Sequence, residues 1–530
     1  MSFLLQRFAL LLLCGGVVVF VYYRMRVESA PTISEPYLVT SLSSDEPSAK
    51  PVVKPQIFPN DKPAAFLVLS GQMHGYMQPC GCSRPQTGGL ERRYELIREL
   101  CARGVPVSAA DLGDLAPLGS GDQARNKFEF SVRMLSKMPY GALGVGRTEL
   151  NLSLEETLAR AQNYQPPFVV AANLDDKEGR FPDMFRGWNL HEAQLLEGQK
   201  PAGPPVRIAY IGLVGGTIIE HARKVDGALQ FSPPDVSLKK VLPEVRQQNP
   251  NLIVLLFQGT MDEAAKLVGE FPEVHLIITR SDADIAPALP KMVGPQGKTM
   301  LISLGHKGRS VGIVALSGGG AAGPELKYQL VDLVEPYELP DDQTNPVREL
   351  MREYVKAVHQ NKYLTKIPLT DHPVRTQPGM GDAKFVGSAA CKECHKNAYG
   401  VWSGTKHAQA YENLAKYGRP LTELKQPGQQ SIKIGRQYDP ECASCHVTGF
   451  GYKDGWVDEL RTPHLKGNQC ENCHGPASLH VANPFEPKYR DQLRLRIKDV
   501  EMKCRKCHDA DNDPHFDLEK YWPKIKHTKG

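Results

Sequence analysis

Residues 470–474 read Cys470-Glu-Asn-Cys473-His474, and this Cys-x-x-Cys-His pentapeptide occurs four times in the last 140 residues of the 530-residue chain. The spacing is the attachment signature of c-type haem, because two thiols three residues apart reach both vinyl groups of one porphyrin and the adjacent histidine lies beneath the iron. A zinc site needs only four ligands and does not require a histidine after every second cysteine. The sequence therefore predicts four covalently bound c-type haems. The thioether cysteines are Cys391, Cys394, Cys442, Cys445, Cys470, Cys473, Cys504 and Cys507, and the proximal iron ligands are His395, His446, His474 and His508.

The second axial position of each iron needs a ligand from elsewhere in the chain. From residue 380 onwards methionine occurs only as Met380 and Met502, so histidine is the expected ligand for most haems, and this favours low potentials. Five candidates for four positions leave open one histidine without a haem, or one haem without a sixth ligand. The candidates are His407, His464, His480, His515 and His527.

The segment from Phe385 to about His527 resembles the tetrahaem cytochromes that accept electrons from hydroxylamine oxidoreductase. The resemblance is carried by residues 386–391, by Trp402-Ser-Gly-Thr-Lys-His407-Ala, by residues 470–481 and by residues 515–527. It implies that His407, His480 and His527 are distal ligands, while His464 and His515 remain candidates. It also implies redox proteins as donor and acceptor, and such cytochromes can keep one haem five-coordinate.

The N-terminus predicts export. Residues 8–23 are an unbroken apolar run that follows Arg7 and precedes Arg24 and Arg26. Residues 1–27 therefore read as an uncleaved signal anchor, with a cleaved signal peptide as the alternative, and residues 28–63 as a flexible linker. We expect the chain on the periplasmic side of the bacterial cytoplasmic membrane, either anchored there or released after cleavage, since covalent haem attachment takes place outside that membrane. The net charge of +5 gives no indication of a nucleic-acid partner.

Residues 64–335 alternate short apolar runs with helical patterns, which predicts an α/β domain. A connecting helix and linker then span residues 336–383, and the haem domain spans residues 384–530. The haem domain has too few residues per porphyrin for an ordinary core, so we expect a mostly helical, loop-rich segment whose interior the porphyrins help to fill. Predicted strands cover residues 65–70, 105–110, 167–172, 206–213, 252–257, 274–278 and 300–304, and predicted helices cover residues 90–103 and 154–163.

Short motifs in this segment resemble the metallophosphatase domain of the 5′-nucleotidase family. They are Gln72-Met-His74-Gly, Leu112-Gly-Asp114, Gly146-Arg147-Thr148-Glu149, Phe257-Gln258-Gly and Thr279-Arg280-Ser-Asp. The resemblance implies a four-layer α/β/β/α sandwich with two metal ions at the strand ends. It also implies degeneracy, because of the expected metal ligands only His74 and Asp114 remain, while Gln72, Arg147, Thr148, Gln258 and Arg280 replace or adjoin the others.

One feature of the first loop has no counterpart in that family. Cys80 and Cys82 flank a glycine shortly after His74, and could join His74 and Asp114 in a rebuilt metal site. A disulfide to Cys101, a Cys80–Cys82 bridge, or thiols without a role are the alternatives.

The leading hypothesis from the sequence is an electron-transfer cytochrome fused to an inactive phosphatase-like domain, which docks a partner or holds a modified metal site. The alternatives are a haem enzyme that acts on a small nitrogen or sulfur compound at an open haem, and a working metal-dependent phosphoesterase.

Overall fold

Two six-stranded sheets form the larger part of the chain, which is described here from a computed structural model. The described residues are 52–79, 86–119, 121–197, 200–283, 285–318, 323–340, 343–417, 421–424 and 432–527. The predicted signal segment and the pair Cys80 and Cys82 lie outside them. Within these ranges no helix combines the length and the apolar character needed to cross a membrane.

The first sheet has parallel strands β1 to β4 and two antiparallel strands on one side. In spatial order its strands are β14 (Pro324–Asp332), β13 (Ser310–Gly318), β1 (Ala65–Ser70), β2 (Val107–Asp111), β3 (Tyr140–Gly144) and β4 (Phe168–Val170).

The second sheet has a parallel centre and an antiparallel strand at each edge. In spatial order its strands are β11 (Lys291–Val293), β12 (Thr299–Ser303), β10 (Leu276–Thr279), β9 (Leu252–Gln258), β7 (Lys200–Val214) and β6 (Trp188–Glu197). Two short strands, β5 (Leu174–Asp175) and β8 (Gln230–Phe231), pair separately.

Alternate side chains of each central strand enter different cores, as the two-residue period of a strand requires. In β1, Leu67 and Leu69 face the second sheet, whereas Phe66 and Val68 face the helices on the outer side. In β9, residues 252, 254 and 256 enter the core between the sheets, and residues 253, 255 and 257 enter a third core. Both sheets are therefore buried on both faces, and the predicted α/β/β/α sandwich is confirmed.

Helices cover both outer faces of this sandwich. On the first sheet lie α1 (Leu90–Cys101), α2 (Asp122–Leu135), α4 (Leu154–Gln162) and α8 (Pro346–Asn361). Helices α6 (Pro234–Gln247) and α7 (Met261–Val268) cover the second sheet, while α3 (Arg147–Asn151) and α5 (Gly216–Val225) contact each other.

Helix α8 begins after Asn345, whose side chain accepts hydrogen bonds from the backbone N–H groups of Val347 and Arg348. One face of this helix is buried in the first core, where Tyr354 packs edge-on against Phe130 at 5.5 Å. The segment between the two halves of the chain is thus packed against the first sheet.

The C-terminal part consists of short helices and loops around a small apolar core. Its largest buried cluster consists of five residues, Phe385, Tyr411, Val447, Trp456 and Leu465. Such a cluster is small beside the cores of the sandwich, in line with the expectation that porphyrins fill the interior. The helices are α9 (Lys396–Ser403), α10 (Ala410–Tyr417), α11 (Pro440–His446), α12 (Cys470–His474), α13 (Ser478–Ala482), α14 (Pro487–Gln492), α15 (Ile497–Cys504) and α16 (Leu518–Ile525), and β15 (Thr422–Leu424) pairs with β16 (Ile432–Ile434).

Polar contacts join α2 of the sandwich to the start of α11. The Gln123 amide donates to the Asp439 carboxylate at 2.9 Å, and the Lys127 ammonium pairs with the Glu441 carboxylate. Lys127 and Asp439 are buried, so solvent screens these contacts less than it screens pairs on the surface.

Removing side-chain volume between the sheets should destabilise the sandwich. For Leu256→Ala, at a side chain with no solvent exposure, we expect the free energy of unfolding to fall by about 2–5 kcal/mol. This free energy is measured by denaturant titration, with unfolding monitored through the fluorescence of Trp188, the only tryptophan between residues 64 and 335. Leu289→Ala is the matched control, because Leu289 is 79% exposed and the same truncation there should cost less than about 0.5 kcal/mol. Equal effects of the two substitutions would contradict the inter-sheet core.

Candidate haem-binding sites and the strand-end site

All four Cys-x-x-Cys-His motifs adopt helical turns. In the first and fourth motifs the histidine N–H donates to the carbonyl of the first cysteine at 2.9 Å, and the second and third motifs lie in α11 and α12. A helical turn brings residues three apart onto one side, which is the arrangement that two thioether bonds to one porphyrin need. None of the eight motif cysteines, all within the described residues, forms a disulfide.

Three of the motif histidines face a second imidazole. The ring centres are 6.1 Å apart for His395 and His480, 5.9 Å for His508 and His407, and 6.0 Å for His474 and His527. A metal–imidazole bond of about 2 Å on each side, plus about 1 Å from each nitrogen to its ring centre, gives about 6 Å. Each pair is therefore spaced to hold one iron between its rings, and the pairing itself was not predictable from the sequence.

The remaining motif histidine, His446, differs from the other three. Among the described residues no second imidazole ring lies against it in this way. The two other candidates, His464 and His515, are exposed, and the structure does not bring either ring against a motif histidine. The arrangement thus provides three paired sites and one site, at His446, with a single imidazole.

Hydrogen bonds to Nδ1 orient the proximal rings. The Nδ1–H groups of His446 and His474 donate to the carbonyls of Ala410 and Leu493, each at 2.7 Å, while His508 Nδ1 lies 2.7 Å from the Asp513 carboxylate. A carbonyl only accepts, so the proton is on Nδ1 and the Nε2 lone pair is available for a metal. Burial lowers the pKa of both His446 and His474, which keeps these rings neutral, as a ligand must be. The residues present therefore fit c-type haem.

The motifs are not arranged in space in their chain order. The side chains of Cys391 and Cys470 lie close to each other, as do those of Cys445 and Cys507, and Cys473 interacts electrostatically with Cys504. The first motif therefore adjoins the third, the third adjoins the fourth, and the fourth adjoins the second.

A polar site lies at the carboxyl ends of the central strands of the sandwich, where open α/β sheets bind ligands. Asp114 is fully buried, and its carboxylate accepts from the Thr148 N–H at 2.9 Å and from the Gln258 amide at 3.4 Å. Glu149 accepts from the N–H groups of Asp114 and Leu115 at 2.9 and 2.8 Å, and burial together with the charge of Asp114 raises its pKa to about 7. Glu149 therefore holds the loop of Asp114 in place.

Around His74, the side chains that the sequence predicts to replace metal ligands bond to protein groups or are exposed. The Gln72 side chain donates to the Ser281 carbonyl at 2.9 Å and accepts from the Ser281 N–H at 2.6 Å. Arg147 is exposed, and Arg280 pairs with Asp282 at 3.3 Å. In the described part of the chain no three histidine, cysteine or acidic side chains converge as metal ligands would.

The structure adds His306 to this site, a residue that the sequence analysis did not select. Its ring contacts that of His74 edge-on at 5.2 Å, and its Nε2 lies 2.5 Å from the Ser281 carbonyl. Burial lowers the pKa of His74 to about 4, and its Nδ1 is buried without a hydrogen-bond partner among the described residues. The only sequence signal was a single histidine shortly after a buried strand, which is not specific.

Comparison with known proteins places one similarity in the C-terminal part. A family model described as "Cytochrome c554 and c-prime" matches residues 390–475. Cytochrome c-554 of Nitrosomonas europaea is 40% identical over 99 residues, which are 18% of this chain and 40% of that protein. This part of the chain is similar to cytochrome c554. The chain thus spans less than half of the relative's length, and the expected resemblance is confirmed for this segment.

Three solved structures that match the chain do so at TM-scores below 0.5. The 5′-nucleotidase precursor of Thermus thermophilus gives a TM-score of 0.48 at 18% identity over 72% of this chain and 74% of that one. The sulfate thiohydrolase SoxB of the same organism gives 0.46 at 18% identity over 57% and 62%. Reduced cytochrome c554 of Nitrosomonas europaea gives 0.19 at 27% identity over 28% and 80%. The sandwich architecture rests on the two sheets described above.

Removing one distal imidazole should change the spin state of one haem. For His407→Ala, His480→Ala and His527→Ala, we expect one low-spin ferric signal to be replaced by a high-spin signal in low-temperature EPR of the oxidised protein, because the iron loses an axial ligand. His464→Ala and His515→Ala are matched controls and should leave the spectrum unchanged. A high-spin signal in either control, or none in the first three variants, would refute the pairing.

Proposed function

We propose that the chain is an exported tetrahaem c-type cytochrome that transfers electrons between redox partner proteins. The observation that carries the proposal is the set of three imidazole pairs, each joining one motif histidine to one distal histidine about 6 Å away. The similarity of residues 390–475 to cytochrome c554 supports it.

The protein side of this function is to hold and orient the cofactor. A bound c-type haem supplies one-electron chemistry, and two imidazole ligands favour low potentials. The motif cysteines fix each porphyrin, and the Nδ1 hydrogen bonds to the carbonyls of Ala410 and Leu493 set the ring planes of His446 and His474. At three positions the distal imidazoles would ligate the iron and leave no site for a substrate.

The surroundings of His446 favour a second function, that of a redox enzyme. Since no second imidazole lies against His446 among the described residues, the haem held there is the one at which a small nitrogen or sulfur compound could bind. The spatial order of the motifs puts this position at the end of the series, next to the fourth motif.

The sandwich is proposed to be inactive as a phosphoesterase. Two-metal hydrolysis needs several imidazoles and carboxylates that converge on two cations. Here Gln72 is bound to the Ser281 backbone, and Arg147 and Arg280 bring positive charge to the strand ends. A metal site built from His74 and Asp114 would need ligands outside the described residues, for which Cys80 and Cys82 are the candidates.

The location is proposed from the sequence. The apolar residues 8–23 with arginine on both sides suit a membrane anchor, and c-type haem attachment takes place on the periplasmic side of the bacterial cytoplasmic membrane. Release into the periplasm after cleavage is the alternative. The redox partners are then membrane-bound or periplasmic proteins.

The haem count and the spin states test the main proposal. We expect pyridine haemochrome analysis of the full chain to give four haems, and EPR to show three low-spin haems and one high-spin haem. Carbon monoxide should bind to one reduced haem. Membranes from cells that express the full chain should retain the protein after a salt wash. Fewer haems would refute the tetrahaem proposal, and four low-spin haems would remove the enzyme alternative.

Hydrolysis assays with metal analysis test the state of the sandwich. The haem-loaded chain should show no more than background hydrolysis of a chromogenic phosphodiester in Mg²⁺, Mn²⁺ or Zn²⁺. Turnover that is abolished by His74→Ala and by Asp114→Ala would overturn the proposal of inactivity. A stoichiometric metal other than iron, lost in Cys80→Ser/Cys82→Ser, would identify the rebuilt metal site instead.

A further inference from the structure

An acidic loop follows directly after the fourth motif. Residues 509–513 read Asp509-Ala-Asp511-Asn512-Asp513. The N–H groups of Asp511 and Asn512 donate to the Asp509 carboxylate at 2.9 and 2.7 Å, and the Asp513 N–H donates to the Asp509 carbonyl at 2.9 Å. This closed loop holds three carboxylates within five residues, beside His508.

His508 has a carboxylate partner, in contrast to His446 and His474, whose Nδ1 groups face carbonyls. Asp513 lies 2.7 Å from His508 Nδ1 and is only 8% exposed. A carboxylate at this position makes the imidazole a more basic ligand. A more basic ligand and nearby negative charge both stabilise ferric over ferrous iron, so this loop alone would lower the potential of the haem held by His508.

Two positively charged side chains of the sandwich contact the same loop. The Lys307 ammonium pairs with the Asp511 carboxylate, the Arg309 guanidinium lies 3.2 Å from it, and the Tyr76 hydroxyl donates to it at 3.4 Å. Lys307, Arg309 and Asp511 are all less than one-third exposed, so salt screens them less than surface charges. The Asp511 carboxylate of the acidic loop is therefore neutralised by residues of the other domain.

The position of Lys307 is fixed by the strand-end site. Its N–H donates to the Gln72 carbonyl at 2.8 Å, and His306, the preceding residue, contacts His74. Lys307 has a φ of 65°, a left-handed conformation that favours glycine, and it follows Gly305, whose φ is 68°. Because a lysine in this conformation is disfavoured, its surroundings must hold it there.

We propose that Lys307 and Arg309 raise the redox potential of the haem held by His508, by neutralising Asp511 beside the His508–Asp513 pair. The inference rests on the proposed electron-transfer function and adds a role for the sandwich within it. The two cations are positioning and tuning residues: they act through Asp511 and do not touch the haem ligand. Reduction of that haem by one electron then occurs at a potential set by both domains.

Spectroelectrochemical titration of the haem-loaded full chain tests the proposal. In Lys307→Met/Arg309→Met, one of the four haem potentials should fall, because the charge on Asp511 is no longer compensated. A change of about tenfold in the reduction equilibrium is expected, which is about 59 mV for a one-electron couple. In Asp511→Asn the same haem should shift upward. Lys327→Met is the matched control: it removes a lysine whose partner is Asp61, at 3.1 Å, and should move no potential.

The potential should shift in opposite directions in the double variant and in Asp511→Asn, and this distinguishes an electrostatic effect from structural damage. If the contact only held the domains together, Asp511→Asn and the double variant would shift the potential in the same direction, and Lys307→Arg/Arg309→Lys would not restore it. Either result, or no shift in both variants, would overturn the inference. In Asp513→Asn the potential should rise and the EPR g-values of one low-spin haem should change, which identifies the haem at His508. Pyridine haemochrome analysis precedes each titration. A count below four haems would argue against the proposed function. The opposite shifts in potential would then still be measured on the haems that are present.

Discussion

With c-type haem bound, the C-terminal part of the chain would be held by bonds to the cofactor more than by its own packing. Its largest buried apolar cluster has five residues, which is far too little to order the short helices α9 to α16. The three imidazole pairs join segments that are distant in sequence, such as His395 to His480 and His474 to His527. An iron held between two such rings would close a long loop and would compensate for the small apolar core. We therefore expect the fold of this half to depend on haem attachment.

Two of the contacts between the sandwich and this half are close in the spatial order of the motifs. Helix α2 contacts the start of α11, through Gln123 and Lys127, just before the second motif. The loop after β12 contacts Asp511, just after the fourth motif. Because the second and fourth motifs adjoin each other through Cys445 and Cys507, both contacts lie at one end of the motif series.

Much of the sandwich was predictable from local patterns, because its strands are uninterrupted apolar runs. β1 occupies the predicted residues 65–70, and α1 and α4 begin at the predicted Leu90 and Leu154. The four Cys-x-x-Cys-His motifs were equally easy to recognise, since cysteine spacing is a strictly local signal. The axial pairing was not, because it depends on which segments meet in space. His306 and Lys307 were also missed, since a single histidine or lysine in a short loop carries no periodicity and acquires meaning only beside His74 and Asp511.

Hydrogen bonds among the strand-end loops hold the site around His74 and Asp114 in place without the metal ligands that the sequence motifs lack. A metal ion normally holds such loops together through bonds from several strands. Here hydrogen bonds connect the same loops: Gln72 binds the Ser281 backbone in both directions, and its own carbonyl accepts from Lys307. Lys307 in turn reaches Asp511, whose partly buried carboxylate would be costly to leave without compensating charge. These hydrogen-bonded loops therefore fix the Lys307 backbone where its ammonium reaches Asp511 of the acidic loop.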